Sequence, residues 1–383
     1  MRWPCRIAAL LLTASAARAQ SVTVTVENAL AVERRDEVVS VDWKALTDAL
    51  PAVTPSRVRV VNGNGSALPT QVIDNEGDGR FDALLFVADF WPKEKKSFTI
   101  SAQSSSLKAA PRVFIRHDEP RDDIAWESDR IAFRIYGEGL KKTSSAMSSN
   151  GIDVWPKSVK SLVVEKWYTK GHDAYHIDTG EGADFFDVGE TLGAGGTAIW
   201  KNDSIYRADN FKSWKIIANG PIRAIVELRY APWSGGGITI SEVKRITVDA
   251  GQNLYRSESV FSSDISSIPY AIGLVKRPGM RGTGSKEKSW AWLSGWGPVA
   301  PKNGGHGELG TAVLIQRDRL TDWKETGNHY LAIGSARAGA PAVHYVGAGW
   351  TASGDFPTPQ SWWAYLDRFA DRLASPITVT IAR

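Results

Sequence analysis

The residues best suited to chemistry crowd into one stretch, Lys170-Gly171-His172-Asp173-Ala174-Tyr175-His176-Ile177-Asp178-Thr179-Gly180-Glu181-Gly182-Ala183-Asp184-Phe185-Phe186-Asp187. Two of the chain's six histidines and five carboxylates fall within sixteen of these residues. An imidazole beside a carboxylate is tuned for proton transfer near neutral pH or prepared to hold a metal. In an extended chain, residues two or four apart share a face, so His172, His176 and Asp178 would line one side and Asp173, Tyr175 and Ile177 the other. His172, Tyr175, His176 and Glu181 are therefore the catalytic candidates. A solvated loop would also be rich in acids and glycines, but it has little reason to carry Tyr175, Phe185 and Phe186 among its charges. No HExxH-like or Cys-His spacing accompanies the histidines, which weakens a metal reading.

Complementary groups are Lys170 within the stretch and Arg223 and Arg245 downstream. Arg245 lies in the strand-like VKRITV and can hold a carboxylate in bidentate fashion, although surface strands carry arginines routinely. Sixteen tryptophans beside 35 glycines and 18 prolines suit a turn-rich β protein. Exposed indole faces stack on sugar rings, which makes Trp200 and Trp350 substrate-binding candidates and an oligosaccharide or polysaccharide the expected partner; most of the other tryptophans are expected in the core.

A second acidic segment, Asp74-Asn75-Glu76-Gly77-Asp78-Gly79-Arg80-Phe81-Asp82, approaches a calcium loop, with Asp74, Glu76, Asp78 and Asp82 as the ligand candidates. Leu85 stands where such a loop wants a bidentate Glu, and an acidic turn between two strands explains the segment as well. Calcium here would be structural. Gly-x-Ser-x-Gly elbows, phosphate loops and dinucleotide fingerprints are absent.

The elements that must position these groups are strands. SVTVTVE at 21–27 alternates strictly, and RVRVV, LPTQVI, ALLFVADF and SFTISA follow, with a helical or loop patch around Asp42 to Leu50. They predict a small N-terminal β-sandwich over residues 20–108, closing at a polar linker, Gln103 to Lys108. The same pattern fills residues 109–383: VFIRH, RIAFRIYG, SLVVEKWY, GGTAIW, WKIIANG, IRAIVELRY, ITISEVKRITV, GTAVLIQ, HYLAIGSA and ITVTIA. Only Pro359 to Ala374 has helical spacing in this part, with Trp363, Leu366, Phe369, Ala370 and Leu373 on one face. The fold class expected is all-β, a small sandwich followed by a large antiparallel one with a short C-terminal helix.

Residues 1–19 read as a secretory leader: Arg2 and Arg6, the apolar run from Ile7 to Leu12, and Ala17-Arg18-Ala19 before the cut. The run is far shorter than the roughly 20 residues a membrane span needs. A periplasmic or extracellular location is expected, with no membrane anchor. Of the formal net charge of +4, Arg2, Arg6 and Arg18 leave with the leader, so the mature chain is near neutral and has no basic run for nucleic acid. Cys5 leaves with it too, so the mature chain has no disulfide.

YHIDTGEGADFFDVGETLGAGGTAIW, NGPIRAIVELRY, KRITVDAGQNL and the late GAGW together resemble the bacterial secreted family catalogued as domain of unknown function 4861. The resemblance runs over nearly the whole mature chain. It implies a galactose-mutarotase-like supersandwich of the kind polysaccharide lyases use, and a place among proteins that degrade uronic-acid-containing glycans, some by elimination. Three readings follow. One is a lyase or dehydratase on uronic-acid oligosaccharides, with His176 or Tyr175 as base, His172 as acid, Arg223 and Arg245 on the carboxylate, and Glu181 and Asp178 orienting the histidines or holding a cation. Another is a glycoside hydrolase using Glu181, Asp184 or Glu258. The last is a glycan-binding protein without catalysis.

Overall fold

The computed structural model describes residues 21–105, 107, 109–142, 149–299 and 305–382. The leader expected at 1–19 lies outside them, as do residues 106 and 108 of the expected linker. The all-β expectation holds: antiparallel ladders account for nearly all of the architecture, with three short α-helices among the described residues.

The first sandwich pairs a five-stranded sheet with a three-stranded one. In the larger sheet Lys95–Ser101 is central, and Ser21–Glu27 lies between it and the edge strand Thr378–Ile381 from the far end of the chain. Alternation puts Val22, Val24 and Val26 on the inner face against Val39, Val41, Phe86 and Phe98. Helix α1 (Trp43–Ala49) plugs one end with Leu46 and starts where the Asp42 carboxylate accepts from the Ala45 amide.

The larger body is built on a nine-stranded sheet running from Ser213–Asn219 through Ile238–Asp249, Leu254–Ser263 and Pro341–Trp350 to Arg281–Ser285. On Ile238–Asp249, the residues Ile240, Glu242, Lys244, Ile246 and Val248 are buried, while their alternating neighbours are only half-buried or exposed. The inner face packs on two further sheets. One has four strands, in the order Asp153–Trp155, Ala132–Tyr136, Asp123–Ser128 and Val113–Asp118; the other has five and centres on Ser267–Val275. Trp126, Phe133 and Tyr255 interlock edge-on and stacked where the layers meet, ring centres 4.8–5.8 Å apart.

Helix α3 (Pro359–Ala374) covers the opposite face, against Trp292, Trp296 and Leu314. Thr358 and Ser361 form a capping box at its start, with Pro359 in the first turn. Its range matches the sequence reading, and Leu366, Phe369 and Ala370 are buried as expected; Trp362 is buried with them, while Trp363 and Leu373 are half-buried against the same cluster. SLVVEKWY departs further, since helix α2 (Val164–Thr169) stands where a strand was expected. Among the described residues no helix is long and apolar enough to cross a membrane.

Candidate functional site

Strand Ala132–Tyr136 is buried along its whole length, and its apolar pattern is broken by Arg134. A guanidinium sealed in protein must be matched by charge and hydrogen bonds. Its Nη2 donates to Asp153 Oδ2 at 2.6 Å, to Asp184 Oδ2 at 2.7 Å and to the Tyr136 hydroxyl at 3.0 Å, and its Nη1 donates to the Tyr175 hydroxyl at 3.0 Å. The side chains of Asp153 and Asp184 are 0% and 2% exposed. Burial, then the Asp153 charge, push the Asp184 carboxyl well above the carboxylate range, with Arg134 pulling it back. Next to this group burial pushes Asp123 up to about 6, against the pull of Arg134 and of the Tyr168 hydroxyl that donates to it at 2.6 Å.

The histidines stand on top of this network, and not on a strand. After α2 the chain turns through Gly171 into a single 3-10 turn, Ala174–His176. That turn brings three rings together: His172 to Tyr175 at 5.4 Å, His172 to His176 at 5.0 Å and Tyr175 to His176 at 4.7 Å between centres. The extended reading is therefore corrected. Tyr175 is on the same side as both histidines, Ile177 is thrown out to 64% exposure, and Asp178 turns away to accept from the Gly180 and Gly182 amides. Gly182 (φ 98°) lies so close to the Pro156 carbonyl that a Cβ would collide with it, which fixes the return of the chain toward Asp184.

His176 Nδ1 is 3.0 Å from the Asp184 main-chain oxygen and 3.6 Å from its carboxylate. A proton on Nδ1 satisfies that carbonyl and leaves the Nε2 lone pair free. Burial lowers the His176 pKa below 6.5, opposed by the Asp184 carbonyl and reinforced by Arg134 and His172, so the ring is neutral at physiological pH. Tyr175, 2% exposed, packs on Trp155 with ring centres 4.9 Å apart. Burial raises its pKa, with Arg134 and Arg121 opposing, so it keeps its proton. Its depth makes it a positioning group for the two histidines.

The stretch continues into an aromatic wall. Phe185 stacks on His306 at 4.1 Å and lies 5.9 Å from Trp350. The Arg277 guanidinium sits 3.8 Å from the Phe186 ring centre and donates to the main-chain oxygens of Asp187 and Val299. Burial lowers its pKa to about 10, with Asp153, Asp187 and Asp184 favouring its charge.

The other sequence candidates are dispersed. Glu181 is held by Lys166 at 2.6 Å, with Lys170 at 3.9 Å, and Lys166 keeps its carboxyl below the usual range. Trp350 is 2% exposed and uses its Nε1 on the His306 carbonyl, so its face is covered. Trp200 is half-buried, with the Lys324 ammonium 5.8 Å from its ring. Arg223 and Arg245 line a separate cavity of about 460 Å³ with Asn75, Glu76 and Tyr345. There Arg223 forks onto Asp249 at 2.6 and 2.8 Å, Arg245 approaches Glu76 at 3.7 Å, and Glu258 pairs with Arg256. No residue of the 170–187 stretch lines this cavity.

In the acidic loop, oxygens of Asp74, Glu76 and Asp82 lie within 4.8 Å of one another, while Asp78 accepts from the Arg80 amide and stays outside the group. Both Asp74 oxygens already accept loop amides, from Gly77 and Asp78 on one side and Gly79 on the other. Asp82 accepts from Asn75. Leu85, at the twelfth position where a calcium loop wants a bidentate Glu, is buried in a strand. The loop is closed by its own amides.

Sequence reasoning passed over Arg134, Asp153, Asp123, Arg121 and Arg277. Only Arg134 gave a signal, as a charge inside RIAFRIYG, where an unbroken apolar surround marks a buried cation.

The family model described as Domain of unknown function (DUF4861) matches residues 26–379. An uncharacterized protein P7 of Formosa agariphila is 32% identical over 333 residues, covering 82% of each chain. Two solved structures share the fold. An alpha-mannosidase from Enterococcus faecalis V583 aligns over 95% of this chain with a TM-score of 0.54 and 10% identity. A glycosyl hydrolase family 38 protein from Enterococcus faecalis aligns over 95% with a TM-score of 0.52 and 10% identity. This chain spans 46% and 48% of their lengths.

Proposed function

This chain belongs to the family described as domain of unknown function 4861, and from that premise we propose that it is an exported enzyme that cleaves uronic-acid-containing oligosaccharides by β-elimination. The observation that carries the reading is the cluster of His172, Tyr175 and His176 over Arg134, in which a neutral His176 keeps a free Nε2. In the reaction, His176 Nε2 takes the proton on C5 of the uronate. The C5–H electron pair becomes the C4=C5 double bond, the C4–O bond breaks, and the leaving oxygen takes a proton from His172. Tyr175 packs against both imidazoles, and Arg134 fixes Tyr175 and Asp184, whose carbonyl meets His176. A saccharide substrate is also consistent with the fold, which both Enterococcus faecalis structures share as part of longer sugar-hydrolysing proteins. The leader supports a periplasmic or extracellular setting.

Hydrolysis is the weaker reading. It needs two carboxyl groups facing each other across a cleft, roughly 5–10 Å apart and free to act. Here Asp153 and Asp184 share one guanidinium, Glu181 is neutralised by Lys166, and Glu258 lies in the other cavity with Arg256. Incubation with uronate oligosaccharides, followed by ultraviolet absorbance and mass, separates the readings. Elimination gives a conjugated double bond with no gain of water, hydrolysis gives a gain of water, and simple binding gives neither. Elimination that persisted at full rate in His176→Ala would refute the assignment of the base.

A further inference from the structure

A uronate bound beside His176 brings a carboxylate that needs a cation, and elimination deepens the need as charge builds on that group. Most cations around the ring cluster are already committed. Arg134 is shared by Asp153 and Asp184, Lys166 is held by Glu181, and Arg116 lies between Asp118 and Glu165. Lys170 hangs between Thr179 and Glu181, and Arg277 spends its guanidinium on two main-chain oxygens. Arg121 is different. Its half-buried guanidinium sits 5.1 Å from the ring centre of Tyr175, and it has no hydrogen bond or ion pair with any described residue.

The backbone that carries Arg121 is fixed with unusual care. It lies in the hairpin between Val113–Asp118 and Asp123–Ser128, next to Asp122, whose φ of 49° is left-handed in a residue with a Cβ. Such a conformation persists only where the surroundings over-determine it. The Asp122 carboxylate accepts from the Gly139 amide at 2.7 Å and is 3.0 Å from His117 Nε2, and its carbonyl accepts from the Gly137 amide at 2.6 Å. Gly137 and Gly139 approach Asp122 so closely that a Cβ on either would collide with it. The main chain at Arg121 is therefore held in place, while its half-buried head lies over Tyr175, helps to lower the Asp123 pKa, and makes no ion pair with a described residue, so it can take an anion from a ligand.

We infer that Arg121 is the anchor for the substrate carboxylate, binding it in bidentate fashion over Tyr175 and beside His176. The inference rests on the uronate reading above and names the residue that makes the site select an acid over a neutral sugar. The planar fork of an arginine suits a carboxylate held in one orientation, so lysine replaces it only in part.

The test is calorimetric titration of the full chain carrying His176→Ala, which slows turnover, with a glucuronate disaccharide and with its methyl ester. The acid is expected to bind at least about tenfold tighter than the ester, as a charge-assisted bond implies. Adding Arg121→Ala should erase that preference while leaving ester affinity and thermal midpoint unchanged, and Arg121→Lys should keep part of it. A preference that survives Arg121→Ala overturns the inference and leaves the uronate reading standing. Equal losses for acid and ester would make Arg121 a support for Tyr175 and also overturn it. If the chain with Arg121 intact shows no preference for the acid, the uronate reading falls and the anchor falls with it.

Discussion

Replacing Arg134 with methionine should be one of the most damaging single changes in the chain, and the structure says how damaging. The substitution keeps bulk but removes the only cation within ion-pairing distance of Asp153 and Asp184 among the described residues, and these carboxylates are 0% and 2% exposed. Breaking a buried ion pair by removing one partner costs about 3–5 kcal/mol. Here one guanidinium serves two carboxylates and two tyrosine hydroxyls, so the upper end applies. A loss of about 5 kcal/mol is comparable to the whole stability of many domains.

Urea unfolding followed by tryptophan fluorescence measures this loss, and a second substitution isolates its cause. Asp184→Asn in the Arg134→Met chain removes one of the stranded charges and should restore about 2 kcal/mol, although the same change in the native chain destabilises. The pH dependence carries the sign. Burial raises both carboxyls, and without Arg134 they would rise further above their unfolded value near 3.8. Stability from a raised pKa is present at low pH and is lost as pH rises through the folded value, so the variant should recover stability as the pH is lowered toward the unfolded value. A variant within about 1 kcal/mol of the native chain, or one that Asp184→Asn fails to rescue, would show that the network is not what closes this part of the core.

Four further outcomes can be checked. His176→Ala should lower turnover by about 10²–10⁴-fold with little change in thermal midpoint, because the ring is partly exposed; a loss of stability instead would make it a packing residue. In the native chain the acid limb of the rate profile should fall below pH 6.5, since burial lowers the His176 pKa and the base acts when neutral. Acid unfolding should draw on His344 and His329, which burial lowers to about 3 and about 4. Their contribution is complete above the unfolded value of 6.5 and is lost as pH falls toward those folded values, so His344→Gln should flatten the acid slope measured by midpoint against pH. Finally, a chelator should move the melting midpoint by less than about 1 °C, because the loop at 74–82 is closed by its own amides; a larger drop would reveal a bound cation.

Most of the strands were legible because alternation is a local signal. SVTVTVE shows its buried face in seven residues without reference to anything else. What it pairs with is not legible: ITVTIA at the far end of the chain returns to become its neighbour, a partnership between segments some 350 residues apart in sequence. Short helices fail for the opposite reason. The six residues of α2 span fewer than two turns, and VVEKWY has the β-branched and aromatic content of a strand. Trp167 and Tyr168 are both buried against Trp155, so the tertiary environment overrode local preference.

The site was legible as a neighbourhood but not as a geometry. Composition drew attention to residues 170–187, and there the histidines do meet, yet through a 3-10 turn that places positions 172, 175 and 176 together, where an extended chain would have grouped 172, 176 and 178. The deeper difficulty is that a charged residue's role depends on which opposite charges the fold brings to it. Glu181 and Asp184 look equally available in GEGADFF, but one is neutralised by a lysine on α2 and the other is sealed under Arg134 from a strand 50 residues away. Arg223 and Arg121 look equally ordinary, but Asp249 claims the first and no described residue claims the second. Charges already satisfied within the fold are framework, and the ones left over are where a substrate of opposite sign gains most by binding. By that criterion the acids of this site are framework, while a neutral imidazole and a guanidinium without an ion pair among the described residues are the groups left over, the pair on which the proposed elimination rests.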